Sequence, residues 1–197
     1  MSYNRKNAVS YAYFYWWKVC HDQYIATTDD APGATPTRPF IKVDPDTYFD
    51  GGYHARNRSG RVLDIDYIED CTHFMSCCVG ERGGGLKILN DFPQQGPYGR
   101  LAPHKDVTKG MFGLFDSLML SGQAVILGTE KTNSLTIPSA LEEWDLIVYW
   151  NGSAYQHMAM YLGKDESGIG MITCHSTCRW LADWRLGLPN WTFLHIK

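Results

Sequence analysis

The last third of the chain constrains the fold most. Trp144 to Trp150 is an apolar run, and the Asn151-Gly152 that follows is a hairpin turn signal. Gln156 to Leu162 forms a second run, Lys164-Asp165-Glu166-Ser167-Gly168 is a polar turn, and Gly170 to His175 reads as the return strand. Short strands at 124–127 and 191–196 extend the prediction to an antiparallel sheet. The earlier part of the chain is helical instead. Ala8, Ala12, Tyr15-Trp16 and Val19 repeat at helical spacing, which predicts a helix over residues 3–25. Asp70 to Val79 predicts a second helix, stopped by Gly83-Gly84-Gly85. A third runs from its cap at Asp106 to Ser121. Residues 176–184 read as a short helix or turn. Helices first and an antiparallel sheet afterwards define an α+β chain.

A length of 197 residues suits one domain, 1–197. Pro32, Pro36, Pro39 and Pro45 mark a loop-rich insertion at about 27–66. The net charge of −3 and the lack of a basic stripe argue against nucleic acid as a partner. No apolar run reaches membrane-spanning length. The start, Met1-Ser2-Tyr3-Asn4-Arg5-Lys6, is not that of a secretory signal, so the expectation is a protein made soluble or one that has lost a leader. Localisation stays open.

Chemistry concentrates in Asp70-Cys71-Thr72-His73-Phe74-Met75-Ser76-Cys77. Here a cysteine stands just inside a helix, after an acidic N-cap residue. The positive end of the helix dipole favours the thiolate, the reactive form. The same spacing also fits a small buried hydrophobe, because Cys71, Phe74, Met75 and Cys78 share one helical stripe. Two distant histidines weigh against that plain reading. A hairpin centred on Glu166 places His157 and His175 directly opposite each other, about 5 Å apart at Cβ. A one-residue slip would break this pairing. Cys71, His157 and His175 then supply nucleophile, base and orienter.

With these residues in place, the chain resembles the amidase domains of the papain-like, NlpC-type cell-wall hydrolase superfamily. That family's nucleophile pattern is Asp-Cys-Thr-Asn-Phe-Val-Ser-Gln, which residues 70–77 follow except at His73, Met75 and Cys77. Tyr3-Asn4-Arg5, Ala8-Val9 and Tyr11-Ala12 match its opening helix. Leu141 to Asp145 matches its Leu-x-x-Gly-Asp, with Trp144 for glycine. His157, His175-Ser176 and Phe193-Leu194-His195-Ile196 match its later strands. The family's Gly-Gly before the nucleophile is absent; a Gly51-Gly52 pair follows Tyr48 instead.

The resemblance implies a papain-like fold with N-terminal helices packed on a small antiparallel sheet. It also implies a cofactor-free cysteine amidase or endopeptidase acting on bacterial peptidoglycan peptides. Such a protein would be a delivered toxin, with an inhibitor (immunity) protein as partner, or a phage-type lysin. Cys71 would attack, His157 would carry the proton and His175 would orient it. Asp70, Tyr48, Tyr67 and Trp180 are secondary candidates for the oxyanion and substrate sites. Trp180, Trp184 and Trp191 are candidates to wall a groove.

Two other functions compete. One is a zinc-stabilised binding module drawing on Cys71, His73, Cys77 or Cys78, Cys174, His175 and Cys178, although no Cys-x-x-Cys pair is present. The other is an inactive papain-like domain kept for binding.

Overall fold

A computed structural model describes residues 2–26, 40–51, 54–65, 68–88, 114–131, 136–150, 155–177, 179–186 and 190–197. The elements run α1 (Arg5–Tyr15), β1 (Tyr24–Ala26), β2 (Phe40–Lys42), β3 (Tyr48–Phe49), β4 (Ala55–Arg56), α2 (Cys71–Val79) and α3 (Leu114–Leu120). They continue as β5 (Ala124–Lys131), β6 (Leu146–Trp150), β7 (Tyr155–Lys164), β8 (Gly170–Cys174), β9 (Arg179–Asp183) and β10 (Asn190–Ile196). Few helices and antiparallel sheets make the architecture compatible with α+β. β5 to β10 form a six-stranded sheet in the order β5-β10-β6-β7-β8-β9, and the hairpins β1-β2 and β3-β4 stand apart from it.

Both faces of the sheet are covered. Phe74, Met75 and Cys78 of α2 pack with Leu146, Val148, Met158, Met160 and Leu194 on one face. Ile147, Tyr149, Ala159, Tyr161, Ile172, Cys174, Trp191 and Phe193 form a second core on the other. That is why β6 reads as an unbroken apolar run: it is central and covered on both sides. All nine residues of α2 are buried, as expected of a helix apolar nearly all round. A third cluster, Val19, Ile25, Phe49, Ala55 and Ile68, lies under the small hairpins.

Three expectations change. The first helix stops at Tyr15, far short of residue 25. Beyond it the backbone is recruited by the segment around β3, with Val19 N–H donating to Thr47 C=O and Phe49 N–H to Trp17 C=O. The second helix ends at Val79, as expected, but the residue that stops it is Gly80, whose extended backbone leaves the helix before the glycine triplet. Residues 179–183 are a strand, not a helix or turn. As an edge strand β9 alternates between exposed and half-buried residues and has no apolar run to announce it. The third helix is described from Leu114; residues 106–113 lie outside the described residues.

The β7–β8 register is also corrected. Met160 faces Thr173 and Tyr161 faces Ile172, and an irregularity between Tyr161 and Lys164 shifts the pairing. Gly163 sits there at φ +93, a conformation that favours glycine and lets the strand bulge. The hairpin is therefore not centred on Glu166. Continued by two residues, its register brings Met158, not His157, level with His175. Side chains alternate across a sheet, so the two histidines belong to opposite faces.

Candidate active site

Cys71 is the first residue of α2, where backbone N–H groups have no partner within the helix. Its Sγ lies 3.8 Å from Thr72 Oγ1 and accepts from the backbone N–H of Met158. The thiol therefore rests against β7, at the peptide that joins His157 to Met158. Burial pushes its pKa up to about 11, and the Met158 and Thr72 contacts only partly offset this. The resting thiol is neutral, against the expectation from the helix dipole alone: desolvation outweighs the dipole here.

His157 follows the Ala159 and Tyr161 side of β7. Its ring lies 5.7 Å from that of Tyr149, its cross-strand partner. Among the described residues His157 Nε2 is buried with no hydrogen-bond partner. A buried polar atom without a partner is costly and calls for an explanation. The Cys71 thiol touches the peptide that follows His157, but the His157 ring lies beside Tyr149 on the sheet face away from α2, and no hydrogen bond joins the two side chains.

His175 does not orient His157. Its Nδ1 bonds Asp70 Oδ2 at 2.6 Å and its Nε2 donates to Tyr15 C=O at 2.8 Å. The ring stacks on Phe74 at 3.8 Å with 4° between planes. Both nitrogens are engaged and the ring is fully buried. The alternatives for an orienter are engaged as well: Thr177 accepts from Arg179 and Asp183 pairs with Arg185.

Asp70 is the hub. It stands at the N-cap of α2, but its carboxylate makes no cap bond to the helix. Instead Oδ1 accepts from Ala26 N–H at 2.6 Å and bonds His73 Nδ1 at 2.9 Å, while Oδ2 holds His175. Asp70 N–H donates to Ser176 Oγ at 3.0 Å. Burial pushes the carboxyl up, but His73 and His175 outweigh it and hold the pKa at about 2. His73 in turn bonds Asp22 Oδ2 through Nε2 at 2.9 Å. Burial lowers the His73 pKa, yet Cys77, Asp70 and Asp22 raise it well above the ordinary value.

The remaining candidates disperse. Tyr48 lies on β3, bridged to Lys18. Tyr67 and Cys178 lie outside the described residues, as does Gly52 of the Gly-Gly pair. Trp180 packs against α1, with ring centroids 5.3 Å from Tyr13 and 6.3 Å from Trp16. Trp184 and Trp191 are buried together 4.8 Å apart in the second core, so they wall no groove with Trp180. Cys174 belongs to that core too, so the zinc set read from the sequence does not assemble. Among the described residues only His73 and Cys77 of that set meet; Cys20 joins them, and Asp22 lies beside His73 and Cys77. The sequence reading missed both, because they fell inside the overlong first helix.

Comparison with family models, with curated proteins and with solved structures gives no match to this chain.

Proposed function

We propose that this chain is a cysteine-dependent amidase or endopeptidase of papain-like, NlpC-type fold, acting on amide bonds of bacterial peptidoglycan peptides. The observation that carries the reading is the placement of Cys71. A thiol at the first position of a buried helix rests against β7 one peptide from His157, whose Nε2 has no partner.

The chemistry follows in order. Substrate entry brings the scissile carbonyl to Cys71 Sγ. The neutral resting thiol is a weak nucleophile, so His157 must take its proton as the S–C bond forms; its ring lies with Tyr149 on the sheet face away from α2, so the start of β7 must turn over to bring the ring to the thiol. The backbone N–H of Cys71, at the start of α2, helps stabilise the oxyanion. The leaving amine departs with the proton from His157, and water then hydrolyses the thioester to a carboxylate and the free thiol. His175 is a positioning residue: it fixes Asp70, and Asp70 fixes the backbone entering Cys71. If the protein is a delivered toxin, an inhibitor protein is its natural partner.

The test is digestion of purified peptidoglycan by the full chain, with released peptides read by mass and new amines counted. Cys71→Ala should cut the rate by at least about 10³-fold in a protein that still folds. His157→Ala should match it, and the double variant should be no slower than either single. Wild-type turnover by folded Cys71→Ala sinks the mechanism.

A further inference from the structure

Cys20, Asp22, His73 and Cys77 come together away from the Cys71 thiol and take no part in the hydrolysis. Cys20 and Asp22 lie on the turn after α1. His73 and Cys77 are one helical turn apart on α2, a spacing that puts both on one face. Ligand atoms of Cys20, His73 and Cys77 all lie within 4.8 Å of one another. Cys77 Sγ stands 3.5 Å from His73 Nε2 and 3.8 Å from Asp22 Oδ2. Ligands about 2.0–2.3 Å from a common tetrahedral centre stand roughly 3.3–3.8 Å apart. Asp22 stands outside this group of three: its Oδ2 hydrogen-bonds His73 Nε2 at 2.9 Å, and it must give up that bond and move in to become the fourth ligand.

We propose that these four residues hold one zinc ion that pins the turn after α1 to α2. The donor set is two sulfurs, one imidazole nitrogen and one carboxylate oxygen, which suits zinc in a closed tetrahedral site. The surroundings fit as well. His73 Nδ1 bonds Asp70, the carboxylate–histidine arrangement that fixes the tautomer leaving Nε2 for a metal. Cys20, His73 and Cys77 are buried and the Asp22 side chain is 5% exposed, so the ion would be shielded from water on all sides. Binding releases the Cys20 and Cys77 protons, and any second proton on His73, to solvent; no electron transfer is involved. Cys71 is not a ligand, so the site is compatible with an active thiol.

The full chain, purified without chelator, should contain one zinc per molecule by elemental analysis. After chelator treatment, cobalt(II) should produce the near-ultraviolet charge-transfer band of thiolate ligation and the visible bands of a tetrahedral ion, both erased by added zinc. Cys20→Ser and Cys77→Ser should lose the charge-transfer band or halve it, and Cys78→Ser should keep it. Asp70→Asn should weaken cobalt affinity about 10–100-fold. Should the ligand variants fail to fold, the wild-type titration decides alone. Metal-free protein with no charge-transfer band on cobalt addition overturns the proposal, as does a Cys20–Cys77 disulfide in the purified chain.

Discussion

Asp70 is the residue on which most side-chain order depends. One buried carboxylate holds His73, His175 and the Ala26 amide. Asparagine has the same shape but one acceptor oxygen, so one imidazole loses its anchor. Asp70→Asn should cost about 3 kcal/mol, the range for breaking a buried pair, read as a lower urea midpoint at unchanged slope. His175→Ala should cost a similar amount, since it removes the ring stacked on Phe74 and frees Asp70 Oδ2. A His175→Ala protein of wild-type stability and low turnover would return His175 to a direct role in the chemistry. The links drawn from the sequence among these residues differ from those in the structure. Cys71, His73 and His175 were all legible as chemistry-bearing positions. That one carboxylate joins the two histidines was not, because Asp70 reads as a helix cap.

At the scale of elements, the exit of α2 decides how the helix that carries Cys71 is held. The chain after Gly80 folds back so tightly that Gly83 has no room for a side chain: an added Cβ would meet the Cys78 carbonyl oxygen at 2.0 Å. Backbone cannot yield as a side chain can. Gly83→Ala should therefore destabilise by about 2 kcal/mol or more. Gly85 is the contrast. Its φ of +84 suits asparagine and nothing lies within 4 Å, so Gly85→Asn should stay within about 1 kcal/mol of wild type. Parallel thermal melts of the two variants check both. Periodicity located α2, β6, β7, β8 and β10 because each has a strong apolar pattern. It missed β9, an edge strand with only partial burial, and it mispaired the β7–β8 hairpin, where one bulge at Gly163 reverses the facing of His157 relative to His175. Such a bulge leaves no periodic trace, so the opposed histidines were the least secure inference from spacing alone.

On the scale of the whole molecule, three motif segments far apart in sequence close on one another. Arg5 at the start of α1 donates to Asp145 Oδ1 at 2.8 Å and to Ile196 C=O at 2.6 Å, and its Nη2 lies 3.3 Å from His195 Nδ1. Asp145 Oδ2 in turn meets His195 Nδ1 at 3.0 Å and the Glu142 amide at 2.9 Å. Tyr3 Oη donates to Trp144 C=O at 2.8 Å. Trp144 itself stands at φ +74, a left-handed conformation, at the position where the amidase pattern has glycine. The Tyr-Asn-Arg, Leu-x-x-x-Asp and Phe-Leu-His-Ile segments were thus read as separate short matches but form one clasp between the first helix and the central strands. Asp145 is fully buried, so removing its guanidinium partner leaves a carboxylate with only amides and an imidazole around it. Arg5→Ala should cost about 3 kcal/mol, somewhat less if water enters along the partly exposed Arg5 side chain. Arg5→Lys should recover only part of that, since one ammonium cannot reach Asp145 and the Ile196 carbonyl with the fork geometry of arginine. Glu142→Gln should be within about 0.5 kcal/mol of wild type, because that carboxylate is exposed and its pairing with Arg5 is screened. Urea unfolding of the three variants ranks them. Equal midpoints for Arg5→Ala and wild type would mean that the clasp is not what holds α1 to the sheet, and that the Tyr3 bond and the aromatic packing of α1 do so instead.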